Sequence, residues 1–241
     1  MKSIHRLALA ALLLPLAAIG CSKPTDNAPQ ATVGDAIVIP EATPAATEPA
    51  PVAAPSEPAA AAPGTPAEPQ AAAPVAAEAV YTFNQNTYIG FAGSKPTGTH
   101  YGQFTAFTGG VTVTGGAIES GKINIAIDTT SISTDDTRLT GTLKNENWFD
   151  IAKHPTATFE SASLAKSGEG YTITGNLTMK GVTKGVSFPA TITLEGDTLK
   201  AKAEFSVDRN EWTIGVGLAA DVIVDDAVAM ELDVEAVKAA Q

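Results

Sequence analysis

The chain of 241 residues holds one cysteine and three histidines, and only 6% of it is aromatic. A lone Cys21 has no partner, so no internal disulfide staples this fold. Only His100 and His154 fall in the aromatic-bearing part, and no G-x-S-x-G elbow accompanies them. Both are read as hydrogen-bonded polar residues, and no enzyme is expected. Lys and Arg number 15 against 26 Asp and Glu, a net charge of -11. With no basic cluster beyond residue 80, nucleic acid is excluded as a partner, and so is attraction to an anionic membrane surface. Asp135-Asp136 and Asp225-Asp226 lack the spaced oxygens of a calcium loop, so no metal site is expected. Gly215-Val216-Gly217 lacks the strand-turn-helix setting of a dinucleotide site. No apolar run reaches the ~20 residues of a membrane-spanning helix; the run from Leu7 to Ile19 is broken by Pro15.

That run is nevertheless informative. It follows Lys2 and Arg6 and ends in small residues, which is the layout of a secretion signal over residues 1–20. Ala18-Ile19-Gly20-Cys21 resembles a bacterial lipobox, with Ala18 where Leu is usual. The resemblance implies that Cys21 is lipidated and that the membrane is a partner through this N-terminal anchor. Ser22, where Asp would signal inner-membrane retention, implies a place in the cell envelope on the periplasmic face of the outer membrane. Residues 21–79 are rich in Ala, Pro, Glu and Thr and contain no aromatic residue. Prolines recur too often for helix, so a disordered linker is expected. At ~3.1 Å per residue its stretched limit is on the order of 180 Å, and it would hold a folded head away from the membrane.

Residues 80–241 carry every aromatic side chain. Alternation with a period of two dominates: Ile123, Ile125 and Ile127 alternate with polar neighbours, and so do Tyr171, Ile173, Leu177 and Met179. The pattern continues through Phe188, Ile192 and Leu194, through Phe205 and Val207, and through Met230, Leu232 and Val234. The alternation lapses from Asp135 to Asn147, where one short helix or ordered loop is expected. Gly109-Gly110, Gly115-Gly116, Gly168-Gly170 and Gly196-Asp197 read as turns between antiparallel strands. An all-β domain of eight or nine strands follows. Periodicity alone permits either a closed barrel or a two-sheet sandwich.

Four motifs in order narrow this choice. Phe91, Gly102 and Phe104 stand in an opening strand pair. Thr134, Leu143, Trp148-Phe149-Asp150, Pro155 and Phe159 form a second stretch. Gly175, Leu177, Thr178, Gly181, Val182, Thr183 and Lys184 form a third, and FSVDRNEWTIG a fourth. Together they resemble the YceI-like family from Tyr81 to Ala236. Thr142-Leu143 replaces a usual His-Leu, and Met179-Lys180 replaces a common Ile-His, so no role passes to those histidines. The resemblance implies a single lipocalin-like antiparallel β-barrel that holds a polyisoprenoid chain.

The inward-facing set supplies the side chains such a pocket requires: Phe91, Phe104, Ile125, Ile127, Phe159, Leu177, Met179, Phe188, Phe205, Trp212, Met230 and Leu232. The expected partner is an apolar lipid, a bound prenyl lipid standing in place of any cofactor. Arg209 is in phase with Phe205 and Val207, which points it inward, and Asp226 is its available ion partner. The alternatives for Arg209 are a structural ion pair or a contact with a polar lipid head. A filled core, with loops that bind a protein or glycan, is the other functional reading. Pairing into a homodimer stays open.

Overall fold

A computed structural model describes residues 23–39, 77–217 and 224–240 of the chain. Cys21 with its lipobox, and linker residues 40–76, lie outside the described residues.

The alternating segments are strands. They are β1 Thr32–Gly34, β2 Glu78–Phe83, β3 Tyr88–Lys95, β4 Gly98–Phe104, β5 Phe107–Thr114 and β6 Lys122–Asp128. There follow β7 Ile132–Thr134, β8 Thr156–Ser167, β9 Gly170–Met179, β10 Val182–Glu195, β11 Thr198–Asp208 and β12 Ala227–Lys238. The helices are α1 Pro24–Asn27 and α2 Thr137–Leu143. Eight strands close an antiparallel ring in the order β2, β5, β6, β8, β9, β10, β11, β12 and back to β2. The fold is therefore a barrel, and closure leaves its paired wall without free edges. At one end β12 exchanges β2 for β3, and β3–β4–β7 continues the wall as a flap. The helix expected between 135 and 147 is α2, packed beside β7.

The alternation encodes the inside of the ring. In β8, Ala157, Phe159 and Ser161 are buried while Thr158 and Glu160 are exposed. A bulge between Ser161 and Ser163 then shifts the phase and turns Leu164 inward. Three of the four expected turns sit at hairpin ends, whereas Gly109-Gly110 lies inside β5. There β5 lies between β2 and β6, and Gly109 has φ +129°. A Cβ on Gly109 would stand 2.0 Å from the Asn124 carbonyl oxygen, and one on Gly110 2.1 Å from that of Tyr81. The pair serves close backbone approach, not reversal of the chain.

The linker reading needs a larger correction. Residues 23–39 are docked on the barrel. β10 pairs with β11 only from Glu195↔Thr198 to Thr191↔Lys202, although its ladder to β9 runs on through Pro189 to Val182. Proline donates no N–H, and beyond it β1 takes the β11 side of β10, with Thr32 opposite Ser187 and Val33 opposite Val186. On the far side of the gap the Ala31 N–H donates to Ser206 O at 2.8 Å, and the Ser206 N–H to Pro29 O at 2.9 Å. Asn176 holds Ile37 through both main-chain groups, each at 2.7 Å. Lys23 forms an ion pair with Asp225. Composition hides this segment because its only apolar strand residue is Val33, and backbone hydrogen bonds do the rest.

Candidate functional site

Among the described residues Met230 borders two cavities, one inner and one outer. The inner one, about 110 Å³, lies within the ring and is lined by Ile125, Ile127, Phe159, Leu177, Phe188, Phe205 and Leu232, among others. Phe188 stacks on Phe205 with centroids 4.1 Å apart, and Phe159 sits 5.8 Å from Phe188. Lys202 lends only its stem, since its ammonium pairs with Asp233 at 2.6 Å.

The outer cavity, about 550 Å³, lies under the flap. That volume falls within the ~300–1,000 Å³ of ligand pockets. Phe91, Phe104 and Met179 line it. Phe91 lies 5.7 Å from Phe104, which meets Phe149 edge-on at 5.8 Å. Part of its wall was not selected by the alternation: Leu139 and Leu143 from α2, Trp148 and Phe149 after it, and Ile214. Helical or irregular residues carry no period-two signal, although Leu143 and Trp148-Phe149 do stand in the second motif. Lys95, His100 and Arg209 stand among its polar lining, with Ser94, Thr97 and Thr142. His100 Nδ1 lies 3.0 Å from Asp135.

Trp212 lines neither cavity. It is fully buried, and its Nε1–H donates to the Leu177 carbonyl at 3.0 Å. The reason is local. β11 stops at Asp208, whose carboxylate accepts the Asn210 N–H at 2.8 Å, and a 3-10 turn begins at Arg209.

The same turn decides Arg209. Its guanidinium does not project along an unbroken strand; it donates to the carbonyls of Ile214 (2.8 Å), Asp225 (3.2 Å) and Val224 (3.2 Å), and to Asp226 at 3.0 Å. The ion pair with Asp226 is formed, but the Asp226 side chain is 65% exposed, so solvent screens it. Arg209 stitches 214 to 224–226 at the cavity rim. Arg209→Met removes the donors from three carbonyls and should lower stability by about 1–3 kcal/mol. Arg209→Lys recovers little of that loss, because one ammonium cannot reproduce the fork. Urea unfolding of the three proteins checks this.

A second support is the cap of α2. Asp136 accepts the N–H groups of Arg138 (2.7 Å) and Leu139 (2.9 Å). The Leu139 and Arg138 amides hold its carboxyl below the ordinary value. A lowered pKa means that the cap contributes fully above the ordinary value of 3.8 and is lost as pH falls through the folded one. Amides of α2 should therefore exchange faster in that acid range, and Asp136→Asn should remove most of the pH dependence. Beyond the helix, Lys180 donates to Asn147 O (3.2 Å) and Thr213 O (3.0 Å), and burial lowers its pKa. Lys180, Thr213 and nearby Asp150 all have positive φ, near +50°, where non-glycine residues are strained.

The YceI-like domain family matches residues 81–236. A UPF0312 protein of Yersinia pestis (strain Pestoides F) is 37% identical over 97 residues, covering 40% of this chain and 50% of that protein. A UPF0312 protein of Pectobacterium carotovorum is 39% identical over the same shares. The chain thus spans about half the length of the curated relatives it matches. Among solved structures, Burkholderia cenocepacia BcnA superposes with TM-score 0.59 at 24% identity, covering 64% of this chain and 98% of that one. A polyisoprenoid binding domain from Saccharophagus degradans, implicated in plant cell wall breakdown, gives 0.53 at 14% identity, with coverages of 68% and 99%. At these identities the likeness is one of fold.

Proposed function

Because this chain belongs to the YceI-like domain family, we propose that it binds a long-chain apolar lipid of the polyisoprenoid or isoprenoid-quinone type and carries or stores it, without catalysing a reaction. The observation that carries this reading is the 550 Å³ cavity, which shares a lining residue, Met230, with a second apolar cavity. The chain of the ligand would follow that line, and its polar head would stay at the rim among Lys95, His100 and Arg209. The binding described in words for the Saccharophagus degradans domain is of the same chemical class.

Energetics favour a carrier. Each CH₂ removed from water is worth ~0.8 kcal/mol, yet a prenyl lipid starts in a bilayer, not in water. A barrel that matches the apolarity of the bilayer exchanges such a lipid with little net change in free energy. Lipidation at Cys21 and residence on the periplasmic face of the outer membrane belong to the same proposal. Lys23, two residues on, is tied to Asp225 beside the Arg209–Asp226 rim. At up to ~3.6 Å per residue, an anchor on Cys21 would keep the rim near the bilayer, not at the end of a long tether. Organic extraction of the full chain purified from its own host, followed by mass spectrometry, should yield a prenyl lipid. A clean extract, with no uptake of prenyl quinone from vesicles, would favour the reading in which the loops bind a protein or glycan.

A further inference from the structure

We infer that residues 29–34 are a removable stave, and that the seam they close between β10 and β11 is the side entrance for an apolar chain. This rests on the lipid-binding reading above. β10 and β11 part after Thr191 and Lys202, so the ring is directly paired only along the rest of that interface. The missing stretch of wall is supplied by β1 and Gln30, through three ladder positions on β10 and a single bridge to Ser206 on β11. Every other junction in the ring is made between strands of the barrel domain. The strands on either side of the stave carry Val186, Phe188 and Phe205, which line the inner cavity. Ala31 is buried, and Val33 packs on the same core cluster. Gly185 makes the approach possible, since a Cβ there would lie 2.5 Å from the Asp35 carbonyl oxygen.

The stave can leave without moving the ring. No barrel strand is contiguous with it in the chain, since residues 35–77 separate it from β2. Its ties are backbone pairs, the Asn176 clamp on Ile37 and the Lys23–Asp225 pair. Short, locally held segments of this kind open at lower free energy than the body of a fold. Opening would expose the apolar side of the cavity laterally, close to where an anchor on Cys21 would meet the bilayer.

A cross-strand disulfide tests the inference on the full chain. Thr32 and Ser187 are opposite one another, and such pairs have Cβ atoms ~4.5–5.5 Å apart, near disulfide reach. In a Cys21→Ser background, Thr32→Cys with Ser187→Cys leaves the introduced thiols as the only ones. Uptake of a long-chain prenyl quinone from phosphatidylcholine vesicles should slow about tenfold or more on oxidation and recover on reduction. Equal rates in the two redox states overturn the side entrance. Hydrogen exchange decides the stave without any lipid: the Ala31 and Ser206 amides should exchange well before the β8–β9 ladder. Exchange as slow as that ladder overturns the inference. A wild-type chain that takes up no quinone refutes the lipid-binding reading, and with it the entrance, while the exchange result still reports the stave.

Discussion

Trp212→Ala is expected to lower the stability of the barrel by about 3–5 kcal/mol. The indole is wholly buried in the turn that ends β11, and its N–H is bonded to the β9 carbonyl of Leu177. Alanine removes the largest fully buried side chain among the described residues and leaves a void that the flanking turn is poorly placed to fill. Lys184 of β10 reaches Glu211 of the same turn at 2.9 Å, an exposed contact too weak to hold the turn alone. Against a typical stability of ~5–15 kcal/mol, the loss would be about a fifth or more. Trp212→Phe should fall between, keeping most of the apolar volume and losing one hydrogen bond of ~1 kcal/mol. Urea midpoints at unchanged slope measure both. A loss under about 1 kcal/mol for the alanine protein would mean that the turn is peripheral to the fold.

Trp212 also shows where the sequence is readable and where it is not. Strand faces are legible because a pleat repeats every two residues, and Ile125, Phe159, Phe188 and Leu232 therefore border the inner cavity. Closure into a barrel was not in the periodicity; it came from the resemblance, and the ring of pairings bears it out. Extrapolation fails where a strand stops. Asp208 caps a turn, so the phase carried from Phe205 to Arg209 no longer applies, and Trp212 is buried in the turn itself. The roof formed by Leu139, Leu143 and Phe149 was missed because helix and loop residues have no such phase. Residues 23–39 were missed for a different reason. A strand held mainly by main-chain hydrogen bonds needs almost no apolar side chain, so composition reports linker where the fold has wall.

Met230→Trp should reduce binding of a long-chain prenyl lipid by tenfold or more, about 1.4 kcal/mol, while leaving the barrel folded. Met230 lies opposite Phe205 on one side and Phe91 on the other, and it borders both cavities. A flexible thioether can move aside for a chain that runs from one space to the next. An indole at the same position is rigid and fills the junction. Overpacking usually costs ~1–3 kcal/mol, but here the added bulk can enter existing void, so the cost should sit at the low end. Chain length supplies the control. A short-chain quinone that fits within the 550 Å³ cavity alone should still bind, whereas a long-chain one should not. Met230→Leu keeps the volume and should bind both. If Met230→Trp retained the long chain at full affinity, the two cavities would not form one continuous site, and the ligand would have to occupy the outer cavity by itself.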